Sequence, residues 1–384
     1  MKTIYIILKE DIMYFPPILT IINTLCDIGY KVVHLGTYSD EEGRKLLEDK
    51  GMVFVKMPSY NGNGNIFQKL RSQLRFRKQV ENYIDSVTIN SDDRIWLAQI
   101  ETIYLLHDLV KKYPTILHPL EYTDPKIKWS YKLISPSLKL PRTFREATKV
   151  VCCEYNRAHI TKGLFTLEKL PVVLPNKPYD DKRELSDNIL SHEISSLLSK
   201  YKEKTKNKKV ILYQGIFLDK ERRLEEFCQA ISLLPEEYVL VAMGTGSDMY
   251  ERLREQYESE RIIFIPFIKP PYHLLVTKDA YIGVLSYFPR PNNIGTVINP
   301  LYCAPNKIFE YAKFGKPMLA NDIPGLKYIF KEFDCGVCID YPMTPKAIAS
   351  CIMELNKNYS LYSMGAIKYY NSVDINSIIS NIVC

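Results

Sequence analysis

One carboxylate in this chain stands where two neighbouring hydroxyls could be gripped. It is Glu310, in the stretch Pro300 to Lys327, which reads PLYCAPNKIFEYAKFGKPMLANDIPGLK. The spacing predicts a short amphipathic helix over Asn306 to Phe314, with Ile308, Phe309 and Ala312 turned to a core. Gly315 sits where a C′ glycine stops a helix, and Pro317 follows at the usual distance. Free N–H groups and the helix dipole make the helix start, at Asn306 and Lys307, suited to an anion. Glu310 lies about one turn further in and could accept hydrogen bonds from two vicinal hydroxyls. Diphosphate and ribose have about that separation in a nucleotide sugar. The same pattern also suits an ordinary α/β crossover helix with a solvated glutamate.

Other residues carry possible chemistry. Arg222 follows a strand (VILYQG, 210–215) and a loop, and is predicted to open a helix. An arginine there offers forked donors that match two phosphate oxygens, and a surface arginine on a charged helix fits as well. His118 and Glu121 end the predicted strand TILHPLEY (115–122). Ligands of open α/β sheets sit at the carboxyl ends of strands, so an acceptor hydroxyl could arrive there, although a strand-end histidine also serves as packing. The nine cysteines include Cys152-Cys153 and Cys335-x-x-Cys338, without a second pair at zinc spacing. They read as buried reduced thiols, and no Asp-x-Asp pair is present to hold a metal.

The elements that must position these residues alternate. Apolar strands are predicted at 3–9, 31–38, 53–57, 94–100, 115–122, 149–155 and 171–176, with helices between them. The alternation resumes at 210–215, 238–244, 262–267, 281–287, the strand PMLAND and 336–340. Such spacing argues for βαβ units, parallel sheets and right-handed crossovers. YNGNGN at 60–65 is a glycine-rich loop, and 177–209 is a charged linker. The segment 66–87 is a basic amphipathic helix with Lys69, Arg71, Arg75, Arg77 and Lys78, and an apolar stripe at Phe67, Leu70, Leu74 and Val80. It suits an anionic bilayer, or a solvated face over a buried stripe.

Composition bounds the rest. A chain of 384 residues has room for two domains, and 46% hydrophobic with 25% charged residues is globular. Lys9, Glu10 and Asp11 interrupt the first apolar run too early for a signal peptide, and no run approaches a membrane span. A soluble, cytoplasmic protein is expected. The formal charge of +7 permits anionic partners without demanding a nucleic acid.

PNKIFEYAKFGKP followed by ANDIPGLKYI resembles the donor-binding segment of GT-B glycosyltransferases, especially the retaining family 4. EYNRAHI and LPVVLPNKPY resemble that family's crossing between domains, and Gly215 to Arg222 its G-x₆-R stretch. The resemblance implies a GT-B fold, with a Rossmann-like acceptor domain over 1–177, a Rossmann-like donor domain over 178–360, and the segment 361–384 returning to the first domain. It implies transfer of a sugar from a UDP- or GDP-sugar to a saccharide or lipid-linked acceptor, retaining and without metal or cofactor. Glu310 would grip the donor ribose, Arg222 and Lys307 would hold the diphosphate, and Gly215, Gly244 (in a G-x-G turn with Gly246), Pro266 and Asn306 would line the donor site. His118 and Glu121 would orient the acceptor or act on its proton, and basic helices such as 66–87 would touch the inner face of a membrane. An Asn- and Lys-rich composition suggests a bacterium, where such enzymes build surface polysaccharide. One position departs from the pattern: Tyr302 stands where many members carry a second glutamate. A nucleotide-sugar epimerase of the same fold, or a nucleotide-binding homologue without turnover, would share most of these signals.

Overall fold

The computed structural model describes residues 2–59, 65–127, 129–180, 192–245 and 247–384. The YNGNGN loop up to residue 64, a third of the charged linker (181–191) and Gly246 lie outside the described residues. The chain divides into two units, 1–179 with 374–384, and 180–373.

In the first unit seven parallel strands lie in the order β3-β2-β1-β4-β5-β6-β7. They are β1 (Thr3–Asp11), β2 (Lys31–Thr37), β3 (Val53–Lys56), β4 (Arg94–Ala98), β5 (Thr115–His118), β6 (Lys149–Cys152) and β7 (Val172–Val173). The alternate residues of each central strand feed two cores. Ile4, Ile6 and Leu8 join one, and Tyr5 and Ile7 the other. Burial on both faces is why these strands read as continuous apolar runs. The helix Ile375–Val383 covers one face, setting Ile379, Ile382 and Val383 beside Ile18, Ile21 and Leu25.

In the second unit six parallel strands lie in the order β10-β9-β8-β11-β12-β13. They are β8 (Lys209–Ile216), β9 (Tyr238–Thr245), β10 (Ile262–Pro266), β11 (Ile282–Leu285), β12 (Met318–Asn321) and β13 (Gly336–Ile339). The strand order reverses between β8 and β11, so the chain leaves these two strands on opposite sides and opens a crevice at their carboxyl ends. The segment 361–384 does not move as one piece: the helix Tyr359–Ser372 stays with this unit, and only 374–384 joins the first. The reason is packing. Tyr369 stacks on Phe309 at 5.0 Å, and a side chain at Gly365 would meet the Phe333 and Asp334 carbonyls at 2.2 Å.

The Asn306–Lys313 helix is seated on this sheet by Tyr311, which is fully buried and donates its hydroxyl to the Leu212 carbonyl at 3.0 Å. Its ring lies over Gly283 of β11, where a Cβ would come within 2.4 Å. Gly283→Ala is therefore expected to cost about 1–3 kcal/mol through overpacking. A lowered midpoint in urea unfolding checks this; an unchanged midpoint would mean the Tyr311 ring moves aside freely.

Candidate functional site

The ends of β8 and β9 meet closely, and only glycine allows it. Gly244 has φ +154°, and a Cβ there would lie 1.8 Å from the Gly215 carbonyl oxygen. Gly215 has φ +135°, and its missing side chain leaves room for Lys307, whose Nζ a Cβ would meet at 2.4 Å. Both backbones occupy a region that side chains avoid. Lys307 comes from the second residue of the Asn306–Lys313 helix, so the helix start lies across the carboxyl end of β8. The N-cap is Pro305, which places no side chain on the first-turn N–H groups. Asn306 opens the helix and is half-buried.

Arg222 approaches the same place from the loop after β8. It does not open a helix as expected: it lies in a turn, with its N–H on the Leu218 carbonyl at 3.0 Å, and the helix begins at Glu225. Its guanidinium packs over the Tyr287 ring at 4.4 Å and pairs with Glu221 at 2.9 Å. The other oxygen of Glu221 pairs with Arg290 at 2.8 Å. Asn321 clamps the Tyr287 backbone, accepting from its N–H at 2.8 Å and donating to its carbonyl at 2.7 Å. The Tyr287 hydroxyl receives Lys307 Nζ at 3.4 Å, so one buried ring links both cations. Burial, and then the charge of Arg222, push the Lys307 ammonium down to about 8, against the opposing pull of Glu310.

Glu310 lies one turn beyond Lys307, with its side chain 13% exposed. His273 Nε2 stands 3.3 Å from one carboxylate oxygen, and the Gln214 amide donates to the other. Thr277 fixes that amide by donating to its oxygen at 2.7 Å. Burial alone would raise the Glu310 carboxyl, but His273, Lys307 and Gln214 together hold it below its ordinary value. The group is a carboxylate at neutral pH. Beside these residues, Pro266 ends β10 and lines a recess of about 440 Å³ with Gly244, Phe264 and Phe267.

Gly215, Gly244, Arg222, Lys307, Glu310, Asn306 and Pro266 thus gather at the strand ends of the second unit. The arrangement can hold an anion against two cations and helix N–H groups, a diol on Glu310, and a flat ring in the recess. Sequence reading missed Gln214, His273, Tyr287 and Glu221. Gln214 left a signal, a polar residue inside the apolar strand VILYQG, whereas His273 stands 37 positions before Glu310 with nothing local to link them.

His118 needs correction as an acceptor-facing group. It is 0% exposed, its ring lies 5.9 Å from that of Trp96, and neither ring nitrogen has a hydrogen-bond partner among the described residues. Burial pushes its imidazole down to about 3, so it stays neutral in the core. Glu121 lies past the strand end, exposed, in the loop before the Trp129–Ile134 helix. Among the described residues no cluster of three metal-binding side chains occurs.

Two parallel sheets built in this way define the GT-B class of glycosyltransferase folds. Residues 197–368 match the family model described as glycosyl transferases group 1. No curated protein sequence matches the chain. Among solved structures it is similar to Anabaena Alr3699/HepE in complex with UDP, at 14% identity, TM-score 0.66, and coverage of 100% of this chain and 98% of that one. It is similar to a glycosyltransferase from Rickettsia africae ESF-5, at 14% identity, TM-score 0.66, and coverage of 99% and 96%. WaaG, a glycosyltransferase involved in lipopolysaccharide biosynthesis, is similar at 13% identity, TM-score 0.62, and coverage of 99% and 98%.

The crowding of Lys307 against Arg222 has a measurable consequence. In the ligand-free protein the Lys307 side chain is expected to titrate near pH 8 by NMR of labelled lysine, and Arg222→Leu is expected to move that midpoint upward. A wild-type midpoint at the ordinary 10.5 would show an ammonium that is neither desolvated nor crowded.

Proposed function

We propose that the chain moves a sugar from a nucleotide-diphosphate sugar, with UDP- and GDP-sugars the leading donors, to an acceptor hydroxyl in bacterial surface polysaccharide synthesis. The observation that carries this reading is the grouping of Glu310, Lys307 and Arg222 around the β8 and β11 ends. As the bond to the anomeric carbon breaks, negative charge gathers on the leaving diphosphate. Lys307, Arg222 and the N–H groups of the Asn306–Lys313 helix stabilise it in a partly buried setting. Those donors stand in for a metal in this reading. Glu310 takes the ribose hydroxyls, and the recess beside Pro266 and Phe267 takes the base. UDP in the HepE structure supports a uridine nucleotide. Retention of anomeric configuration rests on the resemblance to family 4 and on the group 1 match. Glu121, exposed in the first unit, is the remaining candidate to orient the acceptor.

A thermal-shift panel of nucleotides and nucleotide sugars tests the donor, since a ligand that binds only the folded state raises the midpoint. One base series is expected to dominate, and Arg222→Ala and Glu310→Ala are each expected to cut transfer by ~10²-fold or more. Near-normal rates in both variants would sink the site. Epimerised product from nucleotide sugar alone would point to an epimerase instead.

We also propose that the first unit rests on an anionic membrane that carries the acceptor. No helix among the described residues is long and apolar enough to cross a membrane. The Ile66–Ser86 helix buries Gln73, Phe76, Val80 and Ile84, so its outward face presents Phe67, Arg71, Leu74, Arg75 and Lys78. Phe67 and Leu74, expected in the buried stripe, are 78% and 49% exposed. The neighbouring Trp129–Ile134 helix adds exposed Trp129, Lys132 and Leu133. Apolar tips among cations suit a headgroup layer. The protein is expected to pellet with phosphatidylglycerol vesicles and weakly with phosphatidylcholine. Changing Arg71, Arg75 and Lys78 together to Gln is expected to weaken binding roughly 100-fold, at about 1 kcal/mol per cation. Equal pelleting with both lipids would remove the proposal.

A further inference from the structure

We propose that His273 and Thr277, one turn apart on the His273–Asp279 helix, are positioning residues that set the Glu310 carboxylate for a vicinal diol. The inference rests on the reading of Glu310 as the ribose-binding group.

The geometry is a two-sided anchor. His273 Nε2 reaches one oxygen of Glu310 at 3.3 Å. The other oxygen receives the Gln214 amide, whose own oxygen accepts from Thr277 Oγ1 at 2.7 Å. Thr277 is fully buried, and its hydroxyl, also 3.2 Å from the His273 carbonyl, holds the end of the Gln214 amide that faces away from Glu310. Residues four apart on a helix share a face, so one short helix acts on both carboxylate oxygens, directly through His273 and through Gln214 by way of Thr277. Each carboxylate oxygen has room for about two hydrogen bonds. One protein donor on each leaves one acceptor position on each, which is the number that two hydroxyls of a ribose require. The anchor also removes rotation about the last torsion of Glu310, which is otherwise broad.

A carboxylate accepts but cannot donate, so His273 must carry a proton on Nε2. The Nδ1 atom is buried and has no hydrogen-bond partner among the described residues. A donor nitrogen at the Nε2 position is thus what the site asks of residue 273, and a glutamine amide can supply one.

The test measures dissociation constants by calorimetry for UDP and GDP, each beside its 2′-deoxy counterpart. His273→Ala and Thr277→Val are each expected to weaken the preferred ribonucleotide about 10-fold, the scale of a lost hydrogen bond to a charged group, while the deoxy form, which keeps only the 3′-hydroxyl, is weakened less. His273→Gln is expected to recover most of the loss. Melting midpoints without ligand separate these effects from unfolding, since a merely structural role would weaken both nucleotides alike. Equal weakening of ribo and deoxy forms, or no recovery with Gln, overturns the proposal. Glu310→Ala separates it from the reading beneath it. If Glu310→Ala weakens the ribo and deoxy forms equally or weakens neither, or if neither nucleotide binds the wild type, the ribose assignment falls and the positioning role falls with it. If Glu310→Ala weakens the ribo form more than the deoxy form and His273→Ala does not, the positioning role alone is lost.

Discussion

Two cations held together out of bulk water are the constraint around which the second unit is arranged. Arg222 cannot lose its charge, so the strain falls on Lys307, which is pushed down to about 8. Like charges brought together in a partly buried place oppose folding unless something compensates them. Glu221 offsets Arg222 from one side, but it is shared with Arg290. Glu310 offsets Lys307, but it is already engaged by His273 and Gln214. The local surplus is positive. An arriving diphosphate would relieve it, which makes the affinity for anions and the cost to the empty fold two sides of one arrangement.

That arrangement depends on backbone more than on the charged side chains. Lys307 can lie across β8 only because Gly215 has no Cβ, and Gly215 can take its conformation only because Gly244 lets the neighbouring carbonyl in. The reversal of strand order between β8 and β11 supplies the opening. Tyr287, just past β11, then meets both cations, and its backbone is fixed by Asn321 from β12. Residues from four separated parts of the chain reach one place because parallel strands all end on the same side of the sheet.

Much of this was legible in the sequence because it is local. The apolar strands, the stopping glycine at 315 with φ +59°, and the Pro-Asn-Lys helix start are each set by neighbours within a few residues. The partners of Glu310 were not legible, because His273 and Gln214 come from other parts of the fold and no spacing rule joins them. The loop after β8 misled for a different reason. The charged run Glu221 to Glu226 has helical composition, yet Lys220 and Arg223 take positive φ of 61° and 41°, and the turn they make delays the helix.

His118 shows where the strand-end rule needs a second condition. The carboxyl end of a sheet is where ligands sit, but the last residue of a strand still obeys the two-residue alternation. Ile116 faces one of the two cores of the first unit, so His118, two residues on, faces the same way and packs beside Trp96. Leu117 between them faces the other core. In TILHPLEY the apolar run covers both faces, which hides this parity. A strand-end residue is presented to a ligand when the chain has already turned out of the sheet, as it has at Glu121.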